Sequence, residues 1–206
     1  MVYSTASDIP DADLWQRLRQ GDRAAFDVVF HRYIYLLYHY GHKITADKMV
    51  VEDCVQDLFT NLWEKRNQLG STTSVKYYLF ASLRRRLIRR LNQENRRSVP
   101  PDPEFAFVKS PEACIVEQQQ TKEQLDKLQQ VLGRLTKRQK EAIYLKFYSQ
   151  LSYDEIARTM GLNKRTVYNL VSQAIETMRR DLSRNAPLEF VACLLPLLIG
   201  VMTSFA

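Results

Sequence analysis

Apolar positions in the first half of the chain recur at helical spacing. Phe26, Val29, Phe30, Tyr33, Ile34 and Leu37 fall at i, i+3, i+4, i+7, i+8 and i+11, one stripe along a long helix. Val51, Val55, Leu58, Phe59 and Leu62 repeat the pattern over residues 51–66. Val75, Leu79, Leu83, Leu87 and Leu91 repeat it from Ser74 to Asn92. Ahead of them, Asp8, Asp11 and Asp13 precede Leu14, Trp15 and Leu18, an acidic helix start. Such stripes bury one another in a helical bundle.

After Arg96 the period is lost. Residues 97–118 hold four of the seven prolines, which predicts an extended linker. Helical spacing returns from Thr121 to Leu182, led by Leu125, Leu128, Val131, Leu132 and Leu135. Phe190 to Ala206 then runs for 17 residues without a charge, broken by Pro196. The pattern predicts an all-α protein of two helical domains, 8–96 and 121–184, with a flexible linker at 97–120 and an apolar C-terminal segment at 185–206.

Composition narrows the function. Six glycines in 206 residues leave no cluster for a dinucleotide or P-loop site and too few turns for a sandwich or barrel. Hydrophobic residues at 45% suffice for a core. Cys54, Cys114 and Cys193 lie far apart with no CxxC, which fits a reducing compartment. The opening MVYSTASDIPDAD is acidic and lacks an apolar signal-peptide core, so the expected location is the cytoplasm. As a helix, residues 190–206 would span about 25 Å, short of a bilayer's ~30 Å, with a kink at Pro196. The segment is therefore expected to pack on the C-terminal domain or under a partner. His31, His39 and His42 lack partners at a metal-binding spacing, and GxSxG and HExxH are missing. No metal, cofactor or enzyme activity is expected. The net charge of +7 points toward nucleic acid.

Residues 152–172 carry the most specific signal. Ser152 and Glu155 have capping-box spacing; Ile156 and Met160 form one apolar side, and Ala157 is small where a second helix must cross. Gly161 supplies a turn, and Asn163 can cap a second helix whose inner stripe is Val167, Leu170, Val171, Ala174 and Met178. Lys164, Arg165, Thr166, Tyr168, Asn169 and Ser172 remain for the outer face, where a helix-turn-helix presents side chains to the major groove. An ordinary αα-hairpin with a solvated face is the simpler alternative. Lys137, Arg138 and Lys140 on the preceding helix suit phosphate contacts.

Seven arginines (84, 85, 86, 89, 90, 96 and 97) face a single acid, Glu94, between Arg84 and Arg97. Upstream stand Lys76, Tyr77, Tyr78 and Phe80. Aromatics beside a basic stripe suit single-stranded nucleic acid, because unpaired bases stack while cations track the backbone. The alternative is that these aromatics belong to the core. Glu52, Asp53 and Asp57, with Gln56 and Asn61, form a polar side of opposite sign, by itself a solvated face.

Together these segments resemble the sigma-70 family of RNA polymerase sigma factors, in its small extracytoplasmic-function (ECF) group. VVEDCVQDLFTNLWEKR (50–66) is similar to region 2.2, with its acid-x-x-Gln-acid-x-Phe helix and Leu-Trp. SVKYYLFASLRRRLIRRL (74–91) resembles regions 2.3 and 2.4, and residues 135–182 resemble region 4. The resemblance implies that Asp53, Gln56 and Asp57 meet the β′ clamp helices of core RNA polymerase, and that the β flap is a further contact. It implies that Lys76, Tyr77, Tyr78, Arg84, Arg85, Arg86, Arg89 and Arg90 capture and melt the −10 element of promoter DNA. Asn163, Lys164, Arg165, Thr166, Tyr168, Asn169, Ser172 and Arg138 would read the −35 element. An anti-sigma factor is an expected partner. Arg85 stands where the family usually carries Asn, and Tyr78 where it often carries Trp. The competing expectation is a polymerase-independent helix-turn-helix regulator, which would have no use for base-stacking tyrosines.

Overall fold

The computed structural model describes residues 9–94 and 130–185. The linker at 97–120, the start of the second helical stretch (Leu125 and Leu128) and the apolar segment from Phe190 lie outside the described residues. Every regular element among the described residues is helical. The chain forms two compact units, one holding the helices between residues 11 and 94 and the other holding most of the helical residues between 137 and 185.

In the first unit, α1 (Asp11–Arg19) turns at Gly21 into α2 (Arg23–Ile44). Gly21 has φ +91°, a conformation L side chains rarely adopt. Asp22 caps α2, accepting from the Ala25 N–H at 3.2 Å. Across the α1–α2 pair, Arg32 donates to the Ile9 carbonyl at 3.1 Å and to Asp11 at 2.5 Å, and the Tyr33 hydroxyl donates to the other Asp11 oxygen. Burial and that carboxylate push the Tyr33 phenol well up.

Asp47 caps α3 (Lys48–Glu64) through the Val50 N–H, and Ser74 caps α4 (Val75–Glu94) through the Tyr77 N–H. The α2 stripe buries Val29, Tyr33 and Leu37 and continues through Tyr40, Gly41 and Ile44. Gly41 is required at the α2–α3 crossing, since a Cβ there would sit 2.6 Å from Val51 Cγ1. The α3 stripe is buried as expected, and Val75, Leu79, Leu83 and Leu87 of α4 are buried with it. Phe26 and Phe30 sit at the margin, where they meet Phe59 and Trp63 in an aromatic cluster with centroids 4.8 to 6.2 Å apart.

In the second unit, Thr136 and Gln139 form a reciprocal capping box on α5 (Lys137–Ile143). The helix widens into a π turn, Tyr144–Tyr148, where Ser149 N–H reaches back to the Tyr144 carbonyl at 3.0 Å. Gln150 follows with φ +53°. Then come α6 (Tyr153–Met160) and α7 (Lys164–Asn185), with α5 packed on α7. Arg134 donates to the buried Asp181 of α7 at 2.7 Å, which fixes the entry to α5.

Candidate nucleic-acid interface

The α6–turn–α7 unit is assembled from local signals. Ser152 Oγ accepts from the Glu155 N–H at 3.3 Å, and Glu155 accepts from the Ser152 N–H at 2.8 Å. Gly161 has φ +68°, which lets the Leu162 N–H close back on the Ala157 carbonyl at 2.8 Å. Asn163 Oδ1 then caps α7, accepting from the Thr166 N–H at 2.7 Å and from its hydroxyl at 2.8 Å. Ile156, Ala157, Met160, Val167, Val171, Ala174 and Met178 are buried, whereas Leu170 is only half-buried.

This arrangement divides the outward residues of α7 into two groups. Arg165, Asn169 and Ser172 are exposed on one side of the helix. Asn163 and Thr166 use their side chains on each other. Lys164 Nζ lies 2.8 Å from Asp154, an ion pair between α6 and α7 with both side chains exposed. Tyr168 is exposed and its ring centroid lies 5.6 Å from that of Tyr153. Burial, then Tyr168, pushes the Tyr153 phenol up. Lys137 and Arg138 are exposed in the first turn of α5, and Lys140 is half-buried. The role of Asp154 had no sequence signal beyond the acidic first turn of α6.

In the first unit, helix α4 carries a composite stripe. Tyr77 and Tyr78 stand seven residues before Arg84 and Arg85, two helical turns and about 10 Å along the same face. Arg89 continues that face, and Arg84, Arg85 and Arg89 line a shallow basic groove with Ile88, Asn92 and Gln93. Arg85 Nε reaches back to the Ala81 carbonyl at 3.4 Å. Lys76 is half-buried one position off the stripe.

Arg86 and Arg90 do not join it. They lie near Cys54 of α3, whose thiol is pushed up by burial first and then by Asp57, with Arg90 and Arg86 opposing that rise. The acidic side of α3 and one edge of the arginine block are thus neighbours, although in sequence they read as separate surfaces. Asp53, Gln56 and Asp57 are all exposed along α3. Among the aromatics, Phe80 belongs to the core: it is fully buried against Tyr40, with ring centroids 5.0 Å apart. Tyr77 and Tyr78 are half-buried.

Residues 29–97 match the sequence family described as Sigma-70 region 2, and residues 125–178 match Sigma-70, region 4. The chain belongs to the sigma-70 family. Members of this family regulate transcription rather than catalyse a reaction. A curated relative, "ECF RNA polymerase sigma factor RpoE" of Cereibacter sphaeroides, is 26% identical over 167 residues, 79% of this chain and 88% of that protein. This sigma-70 protein falls in the same ECF group.

Two solved structures share its fold. CnrH, in a complex with the cytosolic domain of CnrY, aligns with TM-score 0.56 and 19% identity over 85% of this chain and 99% of that one. The sigma factor RpoE of Bartonella quintana, co-crystallised with the anti-sigma factor NepR, aligns with TM-score 0.54 and 23% identity over 76% of this chain and 95% of that one. Among the described residues of this sigma-70 chain, no helix is long and apolar enough to cross a membrane, and no three His, Cys, Asp or Glu side chains cluster as metal ligands.

Proposed function

We propose that this sigma-70 chain binds core RNA polymerase in the cytoplasm and directs promoter-specific initiation, residues 8–96 engaging polymerase and the −10 element and residues 121–184 the −35 element. The observation that carries the reading is the α4 stripe, in which Tyr77 and Tyr78 share a face with Arg84, Arg85 and Arg89. A regulator that grips only duplex DNA gains nothing from rings two turns along from a cation row. A protein that holds an opened strand needs both, with rings for unpaired bases and guanidinium groups for the phosphates.

Arg86, Arg90 and Lys76 steer DNA from the flanks of that face. Asp53, Gln56 and Asp57 offer the β′ clamp helices an exposed acidic stripe on a rigid helix, and the β flap is the expected contact of the second unit. Arg165, Asn169 and Ser172 read −35 base edges; Lys164, Tyr168 and Arg138 hold the backbone beside them, and the Asn163–Thr166 cap fixes the helix start. An anti-sigma protein is the expected regulator, as in the Bartonella quintana relative co-crystallised with one.

The test is co-elution of the purified chain with bacterial core RNA polymerase, followed by run-off transcription from a genomic promoter library. Specific starts are expected. Tyr77→Ala combined with Tyr78→Ala should leave duplex binding in place and abolish strand opening. Duplex binding without core binding would establish the polymerase-independent regulator instead.

A further inference from the structure

The second unit holds a groove whose apolar floor none of the roles above uses. It encloses about 620 Å3 between the π turn, α6 and α7; its apolar walls are Phe147, Leu151, Tyr153, Tyr168, Val171 and Ile175, and polar and charged side chains, Asp154, Glu155 and Lys164 among them, stand around these. The π turn helps to build it: Lys146 lies over the Tyr153 ring, its ammonium 4.7 Å from the centroid, with Phe147 beside it. An apolar lining offers little to a phosphate backbone, so the groove is not itself a DNA site. Three of its lining residues, Lys164, Tyr168 and Ser172, nevertheless belong to the DNA-facing set of α7.

We propose that residues 190–206 of this same chain dock in this groove and compete with duplex DNA for α7; the competition, though not the docking, rests on the function proposed above. The chemistry matches, since these 17 residues carry no charge and include Leu194, Leu195, Leu197, Leu198 and Ile199. The reach also matches. Ile175 lies ten residues before Asn185, about 15 Å back along α7. Residues 186–192, fully extended, cover up to about 24 Å, so Cys193 and the residues after it can return to the groove. A tether this short sets a millimolar effective concentration, which favours the chain's own segment over a partner or a second copy. Docking removes the segment's apolar surface from water.

Cys193 reports on the docking. In the full-length chain, its iodoacetamide alkylation rate is followed by site-resolved mass spectrometry, with the buried Cys54 as an internal reference. Cys193 should react about tenfold more slowly in the unaltered chain than in Leu197→Asp/Leu198→Asp, and Phe147→Glu or Ile175→Glu should restore the fast rate. The substitutions at 197 and 198 change no residue that lines the groove, so the comparison holds even if a groove variant misfolds. Equal rates in the unaltered and Asp-substituted chains would overturn the proposal. So would protection that survives both groove substitutions, or protection that fades on dilution and so reports a second copy. Removing residues 188–206 should tighten duplex binding about tenfold. If no form binds duplex DNA, the function proposed above fails while the alkylation rates still decide the docking.

Discussion

Trp15 of α1 meets Tyr78 of α4 edge to face, their ring centroids 4.9 Å apart, while the Trp15 indole N–H donates to the Gly70 carbonyl at 3.0 Å. The indole is 3% exposed, so it is a fixed support. It holds one ring of the α4 stripe in place before any nucleic acid arrives, which lowers the ordering cost of stacking a base there. The first helix, which no family match covers, therefore contributes to the candidate site.

A double-mutant cycle tests this support. Trp15→Ala should cost roughly 3–5 kcal/mol as a buried large-to-small change, and Tyr78→Ala less. Their coupling should be about 1 kcal/mol, the amount an aromatic pair adds beyond burial. Urea midpoints of the four proteins measure it. Strict additivity would mean that Trp15 supports the core and not the ring.

Gly41 predicts a steric result. Alanine usually stabilises a helix interior relative to glycine by up to about 1 kcal/mol. Here the new Cβ would fall 2.6 Å from Val51 Cγ1, and Val51 is fully buried and cannot move aside freely. Gly41→Ala should therefore destabilise the first unit by about 1–3 kcal/mol. Val51→Ala in the same chain should recover part of that loss. A thermal melt of Gly41→Ala at or above that of the unaltered protein would show that α2 and α3 can separate.

What the sequence disclosed depended on how local the cause was. The Ser152–Glu155 box, the Gly161 turn and the Asn163 cap each involve residues within a few positions of one another, so residue type and spacing were enough. The α3 and α4 stripes were legible for the same reason. Phe80 was ambiguous because a ring beside arginines can face inward or outward, and only the position of Tyr40 on another helix decides it. The arginine block looked uniform, yet helical register sends Arg85 and Arg89 one way and Arg86 and Arg90 toward α3. The Trp15 support for Tyr78 and the Asp154 partner of Lys164 are tertiary relationships with no short-range trace. The π turn had none either: Tyr144–Tyr148 is an apolar run that fits an ordinary helix equally well.

His42, on α2, makes the first unit sensitive to mild acid. Burial first, then Lys48, His39 and Lys43, holds its imidazole below the ordinary value of 6.5, with Glu52 opposing. The unfolded chain therefore takes up a proton that the folded chain resists. This contribution to stability is complete above the ordinary value and is lost as pH falls through it toward the folded value. The urea midpoint should drop between about pH 7.5 and pH 5.5. His42→Gln should flatten that slope; an unchanged slope would assign the acid sensitivity elsewhere.

If α7 meets DNA as proposed, the ion pair between Asp154 and Lys164 sets how it meets phosphate. Both side chains are more than half exposed, so the pair adds only a few tenths of a kcal/mol to stability, and Asp154→Asn should leave the melting temperature nearly unchanged. Its effect belongs to binding. A carboxylate 2.8 Å from the Lys164 ammonium competes with any phosphate for that charge and repels the phosphate directly. Asp154→Asn should therefore strengthen duplex binding regardless of sequence and steepen its salt dependence. Lys164→Ala should reduce the salt slope by about one and weaken all sequences alike, because a phosphate contact carries no base information. Arg165→Ala, on the exposed face of α7, should instead cost about 1–3 kcal/mol on the preferred sequence and little on others. Binding isotherms at several salt concentrations, on one preferred and one scrambled duplex, separate the two. If Arg165→Ala weakened both duplexes equally, base reading would have to pass to Asn169 and Ser172.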